Sequence, residues 1–153
     1  MENLESKLLD ETGWKILVAL QENARISYAE LGKQVALSAP AVAERVRKME
    51  EAGIITGYHA AVEVEKLGAA MTVIVEMVVV HEREKAFLTA VLDMPEILQC
   101  YNVTGEGSYV LGAAVSSTTH LNDLLIRLAR FGQTVTQLVL SKPVKRRTTR
   151  AWF

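Results

Sequence analysis

One cysteine, three prolines and three histidines are spread over 153 residues, and each scarcity removes a class of chemistry. The lone Cys100 excludes an internal disulfide framework and suits a reducing compartment. Its neighbours alternate as in a strand, so a buried structural thiol is expected there rather than a nucleophile. His59, His81 and His120 lie far apart and in no metal-ligand spacing, so neither a metal centre nor a cofactor is expected. No glycine-rich phosphate loop follows a strand, and no Ser/His/Asp or Cys/His grouping can be assembled, which argues against an enzyme. No apolar run approaches the roughly 20 residues that span a bilayer, and the longest, near Val73 to Val80, is broken by Glu76. The opening MENLESKLLDE is acidic and lacks the basic and apolar regions of a signal peptide. A cytoplasmic protein with no membrane partner is the expectation.

What is present is pattern. Half of the residues are apolar and 23% are charged, a globular balance, and the length allows one domain or two small ones. Arg25 to Gly57, RISYAELGKQVALSAPAVAERVRKMEEAGIITG, holds two short helix patterns joined by a tight turn. Ser27 and Glu30 form an S-x-x-E capping box, with Ile26 and Leu31 as its hydrophobic staple. Ser38 is a good N-cap for the second helix, and Pro40 sits in a first turn where its missing N–H does no harm. Val42, Val46 and Met49 mark the buried side of that helix, and Gly53 ends it. At about 100° per residue the opposite side carries Ala41, Glu44, Arg47, Lys48 and Glu51, with Arg45 on the flank. The small residues near Ser38 would let the backbone approach base edges. An earlier helix pattern runs through Leu9, Gly13, Ile16, Leu17 and Leu20, completing a three-helix helix-turn-helix framework. Gly13 is expected to cost that helix around 1 kcal/mol. After Gly53, ITGYHAAVEV reads as a hairpin-like wing or an extended connector.

Charge is a counterweight to reading this module as a duplex binder. Residues 1–60 carry seven Lys/Arg against nine Asp/Glu, so positive potential must be local to Arg45, Arg47 and Lys48. Residues 142–153 hold five Lys/Arg and no acid, a tail that either reaches phosphates or is simply solvated. Useful affinity is therefore expected to need several linked subunits.

The second half changes period. VEVEKLGAA, at 62–70, reads as a linker between a DNA-binding domain at 1–61 and a second domain at 71–153. Met71 to Val80 reads as a buried strand, Glu84 to Leu92 as a helix, and Met94-Pro95 as its close. Ile97 to Thr104 and Tyr109 to Val115 are strands around a Gly105–Ser108 turn. Leu121 to Phe131 is a helix and Val135 to Leu140 a last strand. The order β-α-β-β-α-β is the ferredoxin-like arrangement, giving an α+β protein.

The chain resembles the Lrp/AsnC (feast/famine) family of transcription regulators. The resemblance rests on LDETGWKILVALQENARISYAELGKQVALSAPAVAERVRKMEEAGIITGYHAAV, on VTGEGSYVL and on the closing LVLSKPVK, nearly end to end. It implies an N-terminal winged helix-turn-helix that reads double-stranded DNA. It also implies a C-terminal ferredoxin-like domain that pairs subunits through their sheets and often assembles dimers into octamers. In many members this domain also binds an amino acid or similar effector. Carried over, it puts Ser38, Ala41, Glu44, Arg45, Arg47 and Lys48 at the DNA, with Arg25 and Ser27 as phosphate contacts. Arginine can clamp a guanine edge, and Glu44 either selects cytosine or repels unsuitable registers. For Arg45 the competing reading is a structural pair with an acid such as Glu44.

The implied effector site comprises Gly105, Glu106, Ser108 and Tyr109 in the hairpin, with Thr134 and Thr136 facing it. Members that answer to amino acids commonly show Gly-x-x-Asp-Tyr, whereas this chain has Ser108. A carboxylate there would suit an α-amino group and a hydroxyl would do so poorly. An effector site of altered selectivity and a purely structural hairpin both remain open, and cross-strand packing explains the threonines equally well. The rival to a DNA-binding regulator is a stand-alone small-molecule sensor or assembly protein whose helix-turn-helix serves protein contacts.

Overall fold

A computed structural model of the chain describes residues 7–105, 107–144 and 148–150. These described residues form two compact units, one of 7–61 together with Val144 and 148–150, the other of 62–105 and 107–143.

In the first unit, helices α1 (Glu11–Glu22), α2 (Tyr28–Val35) and α3 (Ala39–Glu51) each begin at a side-chain cap. Asp10 accepts the Gly13 N–H at 2.7 Å, Ser27 and Glu30 close their capping box, and Ser38 accepts the Ala41 N–H at 3.3 Å. These contacts satisfy backbone donors that helix initiation leaves without partners. Ile16, Leu31, Val42, Val46 and Met49 are completely buried together, each contributing about 1.5–3 kcal/mol by the area it removes from water. Ala36 turns the chain between α2 and α3 with a left-handed φ of 54°, and Leu37 N–H then bonds Gly32 O at 2.9 Å. Gly53, at φ 70°, closes α3 in a Schellman motif: Gly53 N–H bonds Glu50 O and Ile54 N–H bonds Met49 O.

Two expectations change here, and one pair of alternatives is decided. Gly13 is no mere weak point, because it is buried and a Cβ built on it would lie 1.8 Å from Leu8 O. Residues 54–63 form no strand, so the segment after α3 is the extended connector and not a hairpin wing. The tail groups with the first unit instead of the second: the Gln21 amide donates to Thr149 O and accepts Thr149 N–H, both at 2.9 Å.

The second unit runs β1 (Met71–Val79), α4 (Glu84–Leu92), β2 (Ile97–Asn102), β3 (Tyr109–Val115), α5 (Thr118–Ala129) and β4 (Gly132–Leu138). Its sheet has the order β2-β3-β1-β4, every neighbour antiparallel, as the ferredoxin-like pattern requires. Helix α5 starts three residues before the expected Leu121 because Ser117 caps it, accepting His120 N–H at 3.0 Å. One sheet face, with Val73, Val75, Met77 and Leu111, packs against Phe87 and Val91 of α4 and Leu124 and Leu128 of α5. The opposite face exposes Ile74, Glu76, Val78 and Val135. Cys100 is exposed rather than buried. The alternation around it fixes a strand but not coverage, and β2 is an edge strand of which only Ile97 is even half-buried.

Candidate nucleic-acid interface and effector region

The buried stripe of α3 turns Glu44, Arg47, Lys48 and Glu51 outward, all four exposed. Their charges are already engaged with one another. Arg47 grips Glu44 through two bonds, Nε to Oε2 at 2.9 Å and Nη2 to Oε1 at 2.7 Å, and also pairs with Glu51. Lys48 Nζ lies 3.4 Å from Glu44 Oε1. Hydrogen bonding from Arg47, the largest influence, holds the Glu44 carboxyl down at about 2. The four charges sum to zero, so this face presents a mixed pattern, two central cations flanked by acids, and not a uniform positive patch.

Arg45 departs from its expected place on that cationic surface. Its guanidinium forms a fork with Asp10, Nη1 to Oδ1 at 2.8 Å and Nη2 to Oδ2 at 2.7 Å, and its side chain is only 29% exposed. The acid is neither Glu44 nor a neighbour on α3 but the N-cap of α1. The hydrogen bond from Arg45 is the main cause of a lowered Asp10 pKa, and the same bond raises that of Arg45.

The small residues at the start of α3 are where the sequence placed them, with Ser38 capping and Ala41 half-buried behind an exposed Pro40. Ser27 is exposed but its hydroxyl is used twice within the capping box, with Glu30 N–H and Glu30 Oε2. Arg25 is exposed and makes no ion pair among the described residues. In the connector, the Tyr58 hydroxyl donates to Glu50 Oε1 at 2.8 Å, and burial with that bond raises its pKa. Of the basic tail, Lys142 and Arg150 are described, and Arg150 lies 3.9 Å from Glu22; Lys145, Arg146 and Arg147 lie outside the described residues.

The effector candidates are divided between core and backbone. Ser108 is committed: its hydroxyl accepts Val79 N–H at 3.2 Å, its own N–H donates to Met77 O at 2.7 Å, and its carbonyl accepts Val103 N–H at 3.0 Å. Tyr109 is buried, its ring 4.9 Å from Phe87 and its hydroxyl donating to Glu84 Oε1 at 2.7 Å. Met77 pairs with Tyr109 on one side and Thr134 on the other, while Val75 pairs with Thr136, so both threonines stand on the helix-covered face. Gly105 turns the hairpin at φ 120°, and Glu106 lies outside the described residues.

A further polar cluster was not anticipated. Glu96, between α4 and β2, accepts from His120 Nε2 at 2.9 Å and pairs with Arg127, both on α5. Its side chain is 10% exposed and one oxygen, Oε2, is buried without a partner among the described residues. Burial raises its pKa, but the bonds from His120, the backbone and Arg127 outweigh that and leave it lowered.

Residues 9–50 match the AsnC-type helix-turn-helix domain, and residues 72–149 match the Lrp/AsnC ligand binding domain. The chain belongs to the Lrp/AsnC family. The regulator LrpC of Bacillus subtilis is 34% identical over 88% of this chain and 93% of its own. Its solved structure superposes with a TM-score of 0.86 at 33% identity, covering 90% of this chain and 99% of that one. A transcriptional regulator from Neisseria meningitidis, solved in complex with L-Met, gives a TM-score of 0.84 at 29% identity, with coverages of 94% and 96%. As an Lrp/AsnC protein this chain is a DNA-binding transcriptional regulator, and the family is one of regulators, not enzymes.

Proposed function

We propose that α3 enters the major groove, with Ser38 and Ala41 close to base edges, Arg47 and Lys48 on guanine or phosphate, and Glu44 discriminating among bases. Arg25 and the capped start of α2 at Ser27 take flanking phosphates. The observation that carries this reading is the outward set of Glu44, Arg47, Lys48 and Glu51, anchored from behind by Val42, Val46 and Met49. Exposed ion pairs of this kind contribute little, so phosphates can displace the carboxylates at little cost.

The open sheet face carrying Ile74, Val78 and Val135 pairs two subunits, and the two recognition helices then meet successive major grooves about 34 Å apart. Assembly of dimers into a ring would present further helices and bend a long site, favouring flexible A/T-containing sequences. Binding by a single helix-turn-helix of negative net charge is weak, and linkage supplies the affinity. The reading includes a cytoplasmic location and no catalytic role.

For the effector, Ser108 speaks against a conventional amino-acid response. Its hydroxyl is spent on the β1 backbone, and no carboxylate stands at 108 to receive an α-amino group. Gly105, Thr134 and Thr136 remain the candidates to line a pocket for a different small polar molecule.

The test is a mobility shift on random duplex over a range of salt concentrations, with Arg47→Ala beside the wild type. The reading expects a steep negative salt slope that flattens in the variant, with subunit number unchanged. Loss of assembly on Arg47→Ala would place that residue in a subunit interface instead.

A further inference from the structure

We propose that Asp10 is a positioning residue for DNA reading, acting through its fork with Arg45 to fix the orientation of α3 against α1. The proposal rests on α3 being the helix that meets DNA. Asp10 serves two helices with one carboxylate. Its Oδ1 accepts Gly13 N–H at 2.7 Å, which ties the group to the first turn of α1, and both oxygens hold the Arg45 guanidinium. A planar fork fixes direction as well as distance, unlike a single ammonium contact.

The place of the contact along α3 gives it leverage. Arg45 is one turn from Ala41 and flanks the outward face on the side of Ala41 and Lys48. The apolar contacts of Val42, Val46 and Met49 press α3 onto the core but are non-directional and allow rotation about its axis. The Asp10–Arg45 fork opposes that rotation. A base-reading helix is sensitive to it, because a small turn moves every base-edge donor off its acceptor while leaving phosphate attraction nearly intact.

The experiment uses the full chain as wild type, Asp10→Asn, Arg45→Gln and the double variant. Each is titrated against a duplex selected from a random pool by the wild type, and against random duplex, over a salt series. A melt followed by circular dichroism checks folding, and residual dipolar couplings without DNA report the orientation of α3 relative to α1, its rotation about its own axis included. If Arg45→Gln does not fold, Arg45→Lys replaces it, keeping the charge and losing the fork. Positioning predicts that each single variant lowers the selected-to-random affinity ratio about three- to tenfold and that the double variant loses no more than the worse single. The salt slope stays as in the wild type, and both singles turn α3 relative to α1 in the same sense. A slope reduced by about one in the Arg45 variant alone would make it a phosphate ligand and overturn the proposal. Tighter binding by Asp10→Asn would overturn it as well, since the acid would then be withholding Arg45 from DNA. An unchanged orientation of α3, rotation about its axis included, in Asp10→Asn overturns it without reference to DNA. Absence of wild-type binding to any duplex would instead sink the placement of α3 in the groove.

Discussion

Arg47 and Glu44 are joined along the outer face of α3 by two hydrogen bonds, at 2.9 and 2.7 Å, in the place where DNA contacts are expected. The cation is thus held along the helix surface, and its partner cancels its field. Glu44→Gln removes the cancelling charge and keeps a polar side chain. Affinity for random duplex at low salt should rise about three- to tenfold, with a steeper salt slope. A titration of fluorescent duplex measures both, and weaker binding to random duplex would show that the Glu44 carboxylate aids binding instead of restraining it. Because Glu44 is held at about 2, its contribution is present above its ordinary value of 4.5 and fades only as pH falls toward 2. Affinity should therefore show no step from this carboxylate between about pH 5 and 8.

Gly13 is where helix propensity and packing point in opposite directions. Alanine favours a helix by about 1 kcal/mol over glycine. Here the added Cβ would lie 1.8 Å from Leu8 O and 3.0 Å from Met49 Cε, so the clash dominates. Gly13→Ala should destabilise the first unit by about 1–3 kcal/mol in urea unfolding. Unchanged or increased stability would show that the segment before Asp10 can move away freely.

The sequence was legible where the physics is local. Caps at Ser27, Ser38 and Gly53 and the Val42–Val46–Met49 stripe are written within a few residues, as is the βαββαβ order. What needed coordinates spans long separations. The Asp10–Arg45 fork joins residues 35 apart, and the Gln21–Thr149 clamp joins residues 128 apart. Asp10 was detectable as a cap ahead of a helical stripe, yet nothing local marks its second partner. Alternation around Cys100 identified a strand but not that it would lie at an edge without cover. Leu8 O approaches Gly13 only through tertiary packing, so the glycine read as a weakness.

Glu96 joins the loop before β2 to α5 through His120 and Arg127. Its lowered pKa means that its stabilisation is present above the ordinary carboxylate value of 4.5 and is lost as pH falls through the depressed value. Glu96→Ala should cost the second unit about 1–3 kcal/mol at neutral pH. It should also flatten the acid limb of a stability–pH profile measured by urea unfolding. A variant that keeps the wild-type acid limb would transfer that sensitivity to other carboxylates.

Val135 is 61% exposed on the open sheet face, opposite Glu76 in register, so a charge placed there does not disturb the subunit's own core. At a subunit interface a carboxylate placed there would be buried beside the like charge of Glu76, at a cost of several kcal/mol per copy. Val135→Asp should shift sedimentation toward monomer while the circular dichroism melt stays within a few degrees of wild type. An unchanged subunit number would remove this face as the pairing surface.

The most direct test of the account tethers an iron chelate to α3. In a Cys100→Ser background, Ala41→Cys carries the chelate, and strand cleavage is mapped on a bound, selected duplex. Two clusters of cuts within the major groove, centred about 34 Å apart, are predicted for a paired regulator reading with α3. Retained binding without localised cuts would contradict the placement of α3 in the groove.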